Sequence, residues 1–488
     1  MCSFLFCRTK SFLETTLIER ANFFARKRGP DFTGICRLVD GTGHNLLFLH
    51  NLLDISGKQV TQPVITDGNM SILLFNGEIY NYDRLLHKSD TESLLHIFQS
   101  EDYVKAMHDV DGEFAIFLCG YNGKSAVVFT DCFMTKPLYF GSSSKDKSNF
   151  AVATYSSTLT SLGFDRIEMA QPNSAYSISF RGDGHLVSRQ KSIFEFYLAQ
   201  KNTDFERWIR AFLRAVHKRA THGSYKPFVC LSSGYDSGAI CLALNLLGIE
   251  YETFSIEAGE ATDVLRNRIE MNQAASCTRA RVWNGLSTSK AWQMARDIAR
   301  NVEFFTYEHE DTPGFRNDIR RDEAALGLNF IARHAASAGL KVCLSGAGAD
   351  EIYSDYGIRG NKIYNHSEFG GLFPEDLSSI FPWRKFYGDT QRSYLMKEEL
   401  VLGRHGIEGR YPFLDRAVVQ EFLSLDVGLK NSEYKAPLAH FLRKHGYPVE
   451  LNKKRGFKPR TPALYSRMQR ARDAAQKNVC QPLSAFLD

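Results

Sequence analysis

Val229-Cys230-Leu231-Ser232-Ser233-Gly234-Tyr235-Asp236-Ser237-Gly238 runs from an apolar strand through a turn of small residues into a helix that begins at Ala239. Small side chains let backbone amides close on a pyrophosphate, and a helix amino terminus adds partial positive charge. Asp236 inside such a cradle repels phosphate unless a metal cation sits between them. The strand, turn and helix over Phe228 to Leu247 follow a helical period at Trp208-Ile209-x-x-Phe212-Leu213-x-x-Val216, the texture of a parallel-sheet α/β domain. Further on, Val342-Cys343-Leu344-Ser345-Gly346-Ala347-Gly348-Ala349-Asp350-Glu351 again carries a strand into a small-residue loop and ends in two acids. Taken singly, each loop also fits an ordinary turn before a helix.

Upstream the texture differs. To about Phe180 the chain is a series of short β-rich runs, among them Ser71-Ile72-Leu73-Leu74-Phe75, Phe114-Ala115-Ile116-Phe117-Leu118 and Ala126-Val127-Val128-Phe129, separated by Gly, Asn and Asp. The polar connection Arg189 to Asp204 divides the two textures, giving a first domain over 1–195 and a second over 200–488. A chain of 488 residues exceeds what one core usually supports, so two domains are also the expectation from length.

The 60 basic and 55 acidic residues are interleaved, and a net charge of +5 is too mild to argue for nucleic acid or membrane as a partner. The 10 cysteines show neither a CxxC pair nor zinc-type spacing, which favours a reducing cytosol. The apolar start reaches Arg8 and Lys10 too soon for a secretory signal, and no run approaches a membrane span. A cytoplasmic protein acting on small molecules is expected. The histidines His50, His87, His96 and His334 lack ligand spacing, and Cys343 reads as a buried strand residue. Thr390 to Gly403 reads as a surface helix and a candidate subunit contact in a homodimer.

Removal of Met1 would leave Cys2 with a thiol nucleophile and, on the same residue, an amine able to act as its base. Asn76-Gly77-Glu78 follows an apolar strand, so an amide side chain and a flexible backbone emerge together, a pairing suited to a tetrahedral oxyanion. With Met1-Cys2, the segments Arg28-Gly29-Pro30-Asp31, Gln62-Pro63, Asn76-Gly77-Glu78-Ile79-Tyr80-Asn81, Ser89-Asp90-x-Glu92, Asp111-Gly112-x-Phe114 and Lys136-Pro137-Leu138-Tyr139 resemble, in order and spacing, the class II glutamine amidotransferases. That resemblance implies an Ntn-type layered sandwich (αββα) with Cys2 as nucleophile, Asn76 and Gly77 as oxyanion donors, and Glu78 and Asp90 gripping the amino group of glutamine.

The second domain resembles the asparagine synthetase family. Its first loop is similar to the SGGxDS pyrophosphate loop of ATP pyrophosphatases, with Ser233 for a glycine, and its second to SGEGxDE. Gly406-Ile407-Glu408-Gly409-Arg410-Tyr411-Pro412-Phe413-Leu414-Asp415 matches GxExRxPFLD, and Lys453-Lys454-Arg455-Gly456-Phe457 resembles the KxGF element. The resemblance implies ATP and Mg2+ as cofactors, and Asp236 and Asp350 as metal ligands. It further implies Leu231, Ser232, Ser233, Gly234, Asp236, Ser237, Ile256, Ser345 and Gly346 around the nucleotide, and Lys454 facing the triphosphate. The basic run at Lys453 to Arg460 is then a phosphate-facing segment.

Two departures stand out. An arginine that holds the glutamine carboxylate is the family habit upstream of Gln-Pro, and Asn51 occupies that spacing here, with Arg37 or Lys58 as compensating groups. Ala347 replaces the glutamate of SGEGxDE and can neither accept a proton nor pair with ammonium. A β-lactam-forming branch uses a tyrosine and a glutamate there, which makes Glu408, paired with Tyr353 or Tyr356, the candidate catalytic carboxylate. The expected activity is glutamine hydrolysis coupled through an apolar passage to amidation of an adenylated acid: aspartate or, alternatively, a sugar acid or secondary-metabolite acid. A non-catalytic sensing relative and an amino-sugar-forming transferase are the other readings.

Overall fold

The computed structural model describes residues 2–55, 60–65, 71–82, 90–98, 102–120, 122–308, 316–454, 456, 457 and 459. Met1, Lys58, His87, Ser89, Arg455 and Arg460, to which sequence expectations attach, lie outside them.

The strand Ser3–Thr9 is buried along its whole length because its two faces meet different layers. Phe4 and Phe6 point between two sheets, where Phe6 stacks on Phe117 at 4.4 Å between ring centroids. Leu5 and Cys7 point the other way, toward a layer of helices. The first sheet has the order Arg166–Met169, Tyr139–Ser142, Phe150–Ala153, Ser3–Thr9, Asn45–Leu52, Phe32–Val39. The second runs Gly184–Lys191, Ser174–Arg181, Ser125–Thr130, Gly112–Gly120, Ser71–Ile79, Val64–Ile65. The pairings within both are antiparallel. Thr15–Ala21, Ala25–Arg28 and Ser156–Ser161 cover the first sheet, and Asp90–Ile97 with Tyr103–Met107 cover the second. The layering is αββα, as the sequence predicts for this half. Each large apolar side chain shut between the sheets contributes roughly 1.5–3 kcal/mol.

Residues 192–205 form no helix or strand. Gln420 clamps this connection at Tyr197, accepting its N–H at 2.9 Å and donating to its carbonyl at 2.9 Å.

A five-stranded parallel sheet then follows, in the order Cys277–Trp283, Tyr251–Ile256, Pro227–Cys230, Val342–Leu344, Glu408–Arg410. Helices Glu206–Thr221 and Tyr235–Leu247 pack on one face, and Thr288–Asn301 with Glu323–Ser337 on the other. Because Val229 pairs with Leu344, the two central strands end side by side, and their loops share the carboxyl edge where such sheets take ligands. Among the described residues no helix is long and apolar enough to cross a membrane.

The helix Asp389–Gly403 is not the surface element that its polar sequence predicts. Its residues Leu395, Met396, Lys397, Glu399, Leu400, Val401 and Leu402 are buried, and it shares one core with the outer helices of the first sheet. Its charges find interior partners: Lys397 meets Asp322 at 3.2 Å, and Glu399 meets Arg28 and, at 3.4 Å, Lys136. Charged side chains that would otherwise demand water are thereby paired inside.

Candidate functional site

Cys2 precedes the central strand of the first sheet and is 9% exposed. Burial pushes its thiol up to about 11, so the resting group is a thiol that requires a base. Its backbone carbonyl accepts from Arg28 Nε at 2.9 Å. The facing strand of the second sheet, Ser71–Ile79, supplies Asn76, Gly77 and Glu78. Asn76 is fully buried, yet among the described residues neither its Nδ2 nor its Oδ1 has a hydrogen-bond partner. An orphaned buried amide costs about 1–3 kcal/mol and marks a group held ready for something else. Gly77 has φ +136°, and a Cβ there would lie 1.9 Å from the Glu113 carbonyl oxygen, so only glycine allows this turn of the strand.

Glu78 is close enough to Cys2 for its charge to act on the thiol. It does not stand alone. Its Oε2 lies 2.6 Å from His222 Nε2 and its Oε1 3.6 Å from an Arg410 Nη, both supplied by the second domain. Asp90, first residue of Asp90–Ile97, completes the group: one ligand atom each of Glu78, Asp90 and His222 lie within 4.8 Å of one another. Burial, then the charge of Glu78, lifts the Asp90 carboxyl to about 7. Burial works against a charged His222, but Glu78 and Asp90 outweigh it and raise the imidazole. An imidazole of the protein itself thus sits against the two carboxylates expected to hold the ammonium of glutamine.

Asn51 is elsewhere. It pairs with Ser3 across the sheet, so its side chain shares the helix-facing side with Ser3 and is opposite in alternation to Cys2. Its amide is spent: Nδ2 donates to Ser3 Oγ at 2.9 Å and Asn22 Oδ1 at 2.8 Å, while Oδ1 accepts from Asn22 at 3.0 Å and Thr33 at 2.9 Å. The expectation that Asn51 contacts glutamine therefore fails on strand geometry. Arg37 does not compensate. It is exposed, donates to the Leu13 carbonyl at 3.1 Å and stacks at 4.4 Å over Phe12.

Between the halves lies a buried polar seam. Arg219 Nε donates to Glu113 Oε1 at 2.7 Å and Nη1 to Asp415 Oδ2 at 2.7 Å. Lys218 reaches Asp111 at 2.5 Å, and Lys136 donates to the Gly409 carbonyl at 2.7 Å. The DGxF and KPLY segments of the first domain thus serve docking. Glu408 belongs to this seam: it takes Arg410 Nε at 2.5 Å, and its charge acts on the Cys2 thiol. The tyrosines expected beside it bond elsewhere, Tyr353 to the Phe413 carbonyl at 3.0 Å and Tyr356 to Glu351 at 2.5 Å. The pairing of Glu408 with Tyr353 or Tyr356 is corrected accordingly: the strand Glu408–Arg410 points its first residue toward the glutaminase side.

At the carboxyl edge of the parallel sheet, Leu231 and Ile256 are buried at the base. The loop above them is already folded: Ser237 Oγ accepts the Ser232 N–H at 3.0 Å, Ser233 N–H donates to Glu260 at 2.6 Å, and Arg268 braces the Ser232 and Gly234 carbonyls at 2.7 and 2.6 Å. A Cβ on Gly346 would approach Asp236 Cβ to 2.8 Å, so the two loops touch only because the second carries glycine there. Asp236 and Asp350 converge on one ammonium, Lys435 Nζ, at 2.6 and 2.8 Å, and Lys454 also pairs with Asp350. Burial opposes ionisation of Asp350, yet Lys435 and Lys454 hold its carboxyl well below the usual carboxylate range. Two hard oxygen donors aimed at one cationic position suit a divalent ion bridging to phosphate. Lys435, at φ 48°, is a strained non-glycine residue whose conformation aims the side chain at this pair. Sequence reasoning missed it, together with His222 and Glu398, because none sits in a motif; Arg28 was read within the Arg28-Gly29-Pro30-Asp31 segment, which gives no sign of its partner Glu399.

Residues 1–182 match the family described as glutamine amidotransferase domain, and residues 208–399 and 384–486 that described as asparagine synthase. A putative asparagine synthetase (glutamine-hydrolyzing) 1 of Methanocaldococcus jannaschii is 25% identical over 431 residues, 83% of this chain and 73% of that one. The probable asparagine synthetase of Dictyostelium discoideum is 24% identical over 446 residues, 82% and 71% of the two chains. Asparagine synthetase 1 of Saccharomyces cerevisiae is 24% identical over 436 residues, 82% and 72%.

Proposed function

Because the chain belongs to the asparagine synthase family, with a glutamine amidotransferase domain ahead of the synthase region, we propose that it is a glutamine-hydrolysing, ATP-consuming ligase that converts aspartate to asparagine. The observation that carries this reading is the convergence of Asp236 and Asp350, from two loops, on one cationic position at the carboxyl edge of the sheet.

In the first half, Cys2 attacks the side-chain amide carbon of glutamine, Asn76 and Gly77 take the developing oxyanion, ammonia leaves, and water resolves the thioester to glutamate. Glu78 and Asp90 hold the substrate ammonium once it displaces His222. In the second half, Leu231, the turn Ser232 to Ser237, Ile256, Ser345 and Gly346 hold ATP. The acid carboxylate attacks the α-phosphorus, pyrophosphate departs, and ammonia replaces AMP on the acyl carbon. Asp236 and Asp350 would hold a magnesium ion, which would supply charge compensation for the pyrophosphate. Lys454 and Lys435, released from those carboxylates, turn to phosphate oxygens.

The test is pyrophosphate release and amide formation with Mg-ATP and glutamine across a panel of carboxylic acids, repeated with ammonium. Asparagine from aspartate is expected. Release with another acid alone would replace aspartate, and silence throughout would overturn the reading.

A further inference from the structure

Ammonia that adds to the carbonyl carbon of an acyl adenylate forms the C–N bond with its lone pair and becomes cationic. One N–H proton must leave before the C–O bond to the AMP phosphate breaks with its electron pair, or the nitrogen itself departs. Ala347 offers no acceptor. Of the carboxylates around the two loops, Asp236 and Asp350 are held by lysines, Glu260 takes the Ser233 N–H, and Glu351 takes the Tyr356 hydroxyl at 2.5 Å.

Glu398 reaches the same loop from the helix Asp389–Gly403. Ser345 Oγ donates to its Oε2 at 2.6 Å and itself accepts the Ala347 N–H at 3.1 Å, so the carboxylate is one hydroxyl removed from the backbone of Ala347. Its neighbours Lys397 and Glu399 are buried, whereas Glu398 keeps partial exposure while its carboxylate is largely enclosed. Its Oε1 takes no hydrogen bond from any described residue. We propose that Glu398 is the catalytic proton acceptor of the amidation step, supplying from the helix the carboxylate that position 347 lacks. The nitrogen gives its proton to Oε1 before the C–O bond to AMP breaks. This rests on the ligase reading above.

The electrostatics suit the role. Burial lifts the Glu398 carboxyl to about 7; Ser345 and Lys397 pull it down, and Glu399 and Glu351 push it up. Cys343 and Tyr411 also face it. A base poised near neutrality combines a usable ionised fraction with proton affinity.

Glu398→Gln should lower asparagine formation from ammonium by about 100-fold or more, the usual contribution of a positioned base, beyond any loss of aspartate-dependent exchange of pyrophosphate into ATP. In the parent, kcat/KM expressed on free ammonia should rise with pH through about 7; in the variant it should be flat. Hydroxylamine, a weaker base that sheds its proton more readily, should be less affected than ammonia. Glu398→Gln with Ala347→Glu should regain part of the lost rate. Asparagine formation at the parent rate in Glu398→Gln, or equal loss of exchange and amidation, would overturn the proposal. A parent that neither exchanges nor makes asparagine would instead overturn the ligase reading, and the proposal with it.

Discussion

The two sites are finished in different ways. The nucleotide site closes on itself: Lys435 and Lys454, which pair with Asp236 and Asp350, belong to the same domain. The glutaminase site is completed across the seam, since His222 and Arg410 of the second domain reach Glu78. Arg28, which holds the Cys2 carbonyl, is in turn anchored by Glu399. The glutaminase site is thus completed by docking, and the nucleotide site by its own domain.

The largest effects should separate the sites cleanly. Cys2→Ala is expected to abolish asparagine formation from glutamine and to leave formation from ammonium intact, whereas Asp236→Ala should abolish both. Parallel assays with the two nitrogen donors decide this, and equal loss of both from Cys2→Ala in a folded protein would erase the distinction drawn here. Next, Asn76→Ala should lower kcat for glutamine hydrolysis by about 10²–10³, the usual loss on removing one oxyanion donor. Stability should not fall much, because among the described residues the buried amide has no partner to lose and relief of its orphaned state offsets the small cavity left.

Glu399→Ala tests the completion by docking directly. It leaves the Arg28 guanidinium, which is fully buried, without its carboxylate. Breaking such a pair typically costs about 3–5 kcal/mol. Urea denaturation should show the loss. Glutamine-dependent turnover of the surviving folded enzyme should fall further than ammonia-dependent turnover, because Arg28 supports Cys2. A proportionate fall in both would mean that docking matters to the two sites alike.

These contrasts also explain what was legible beforehand. The loops at Ser232 to Ser237 and Ser345 to Asp350 can be read in sequence because their chemistry is local: strand end, small turn and acid lie within a few residues. The strands of the first half were legible as short β-rich runs between Gly, Asn and Asp, while their αββα layering followed from the resemblance to the class II glutamine amidotransferases. Partners brought together across the chain leave no such trace. Nothing near His222 points to Glu78, and the charges of Lys397, Glu398 and Glu399 read as a solvated face until the buried Asp322 and Arg28 opposite them are known. Periodicity reports where apolar residues go, but a buried charge announces itself only with its counter-charge.

The smallest expected effect on catalysis is the most discriminating for the departure at Asn51. A residue in the arginine's place should, if it touched substrate, raise KM for glutamine on truncation. Here the side chain lies on the face of the sheet opposite Cys2, and its amide bonds Ser3, Asn22 and Thr33. Asn51→Ala should therefore leave KM for glutamine essentially unchanged. It should instead destabilise the fold, because buried Asn22 loses the Asn51 amide from both its side-chain atoms, whereas Ser3 keeps the Ala25 carbonyl, at about 1–3 kcal/mol for an orphaned group. Denaturation midpoints and glutamine titrations of the same preparation separate the two effects. A large rise in KM with an unshifted midpoint would return Asn51 to the pocket. The expected opposite would mean that this chain recognises glutamine chiefly through its ammonium, at Glu78 and Asp90, where the protein's own His222 must first give way.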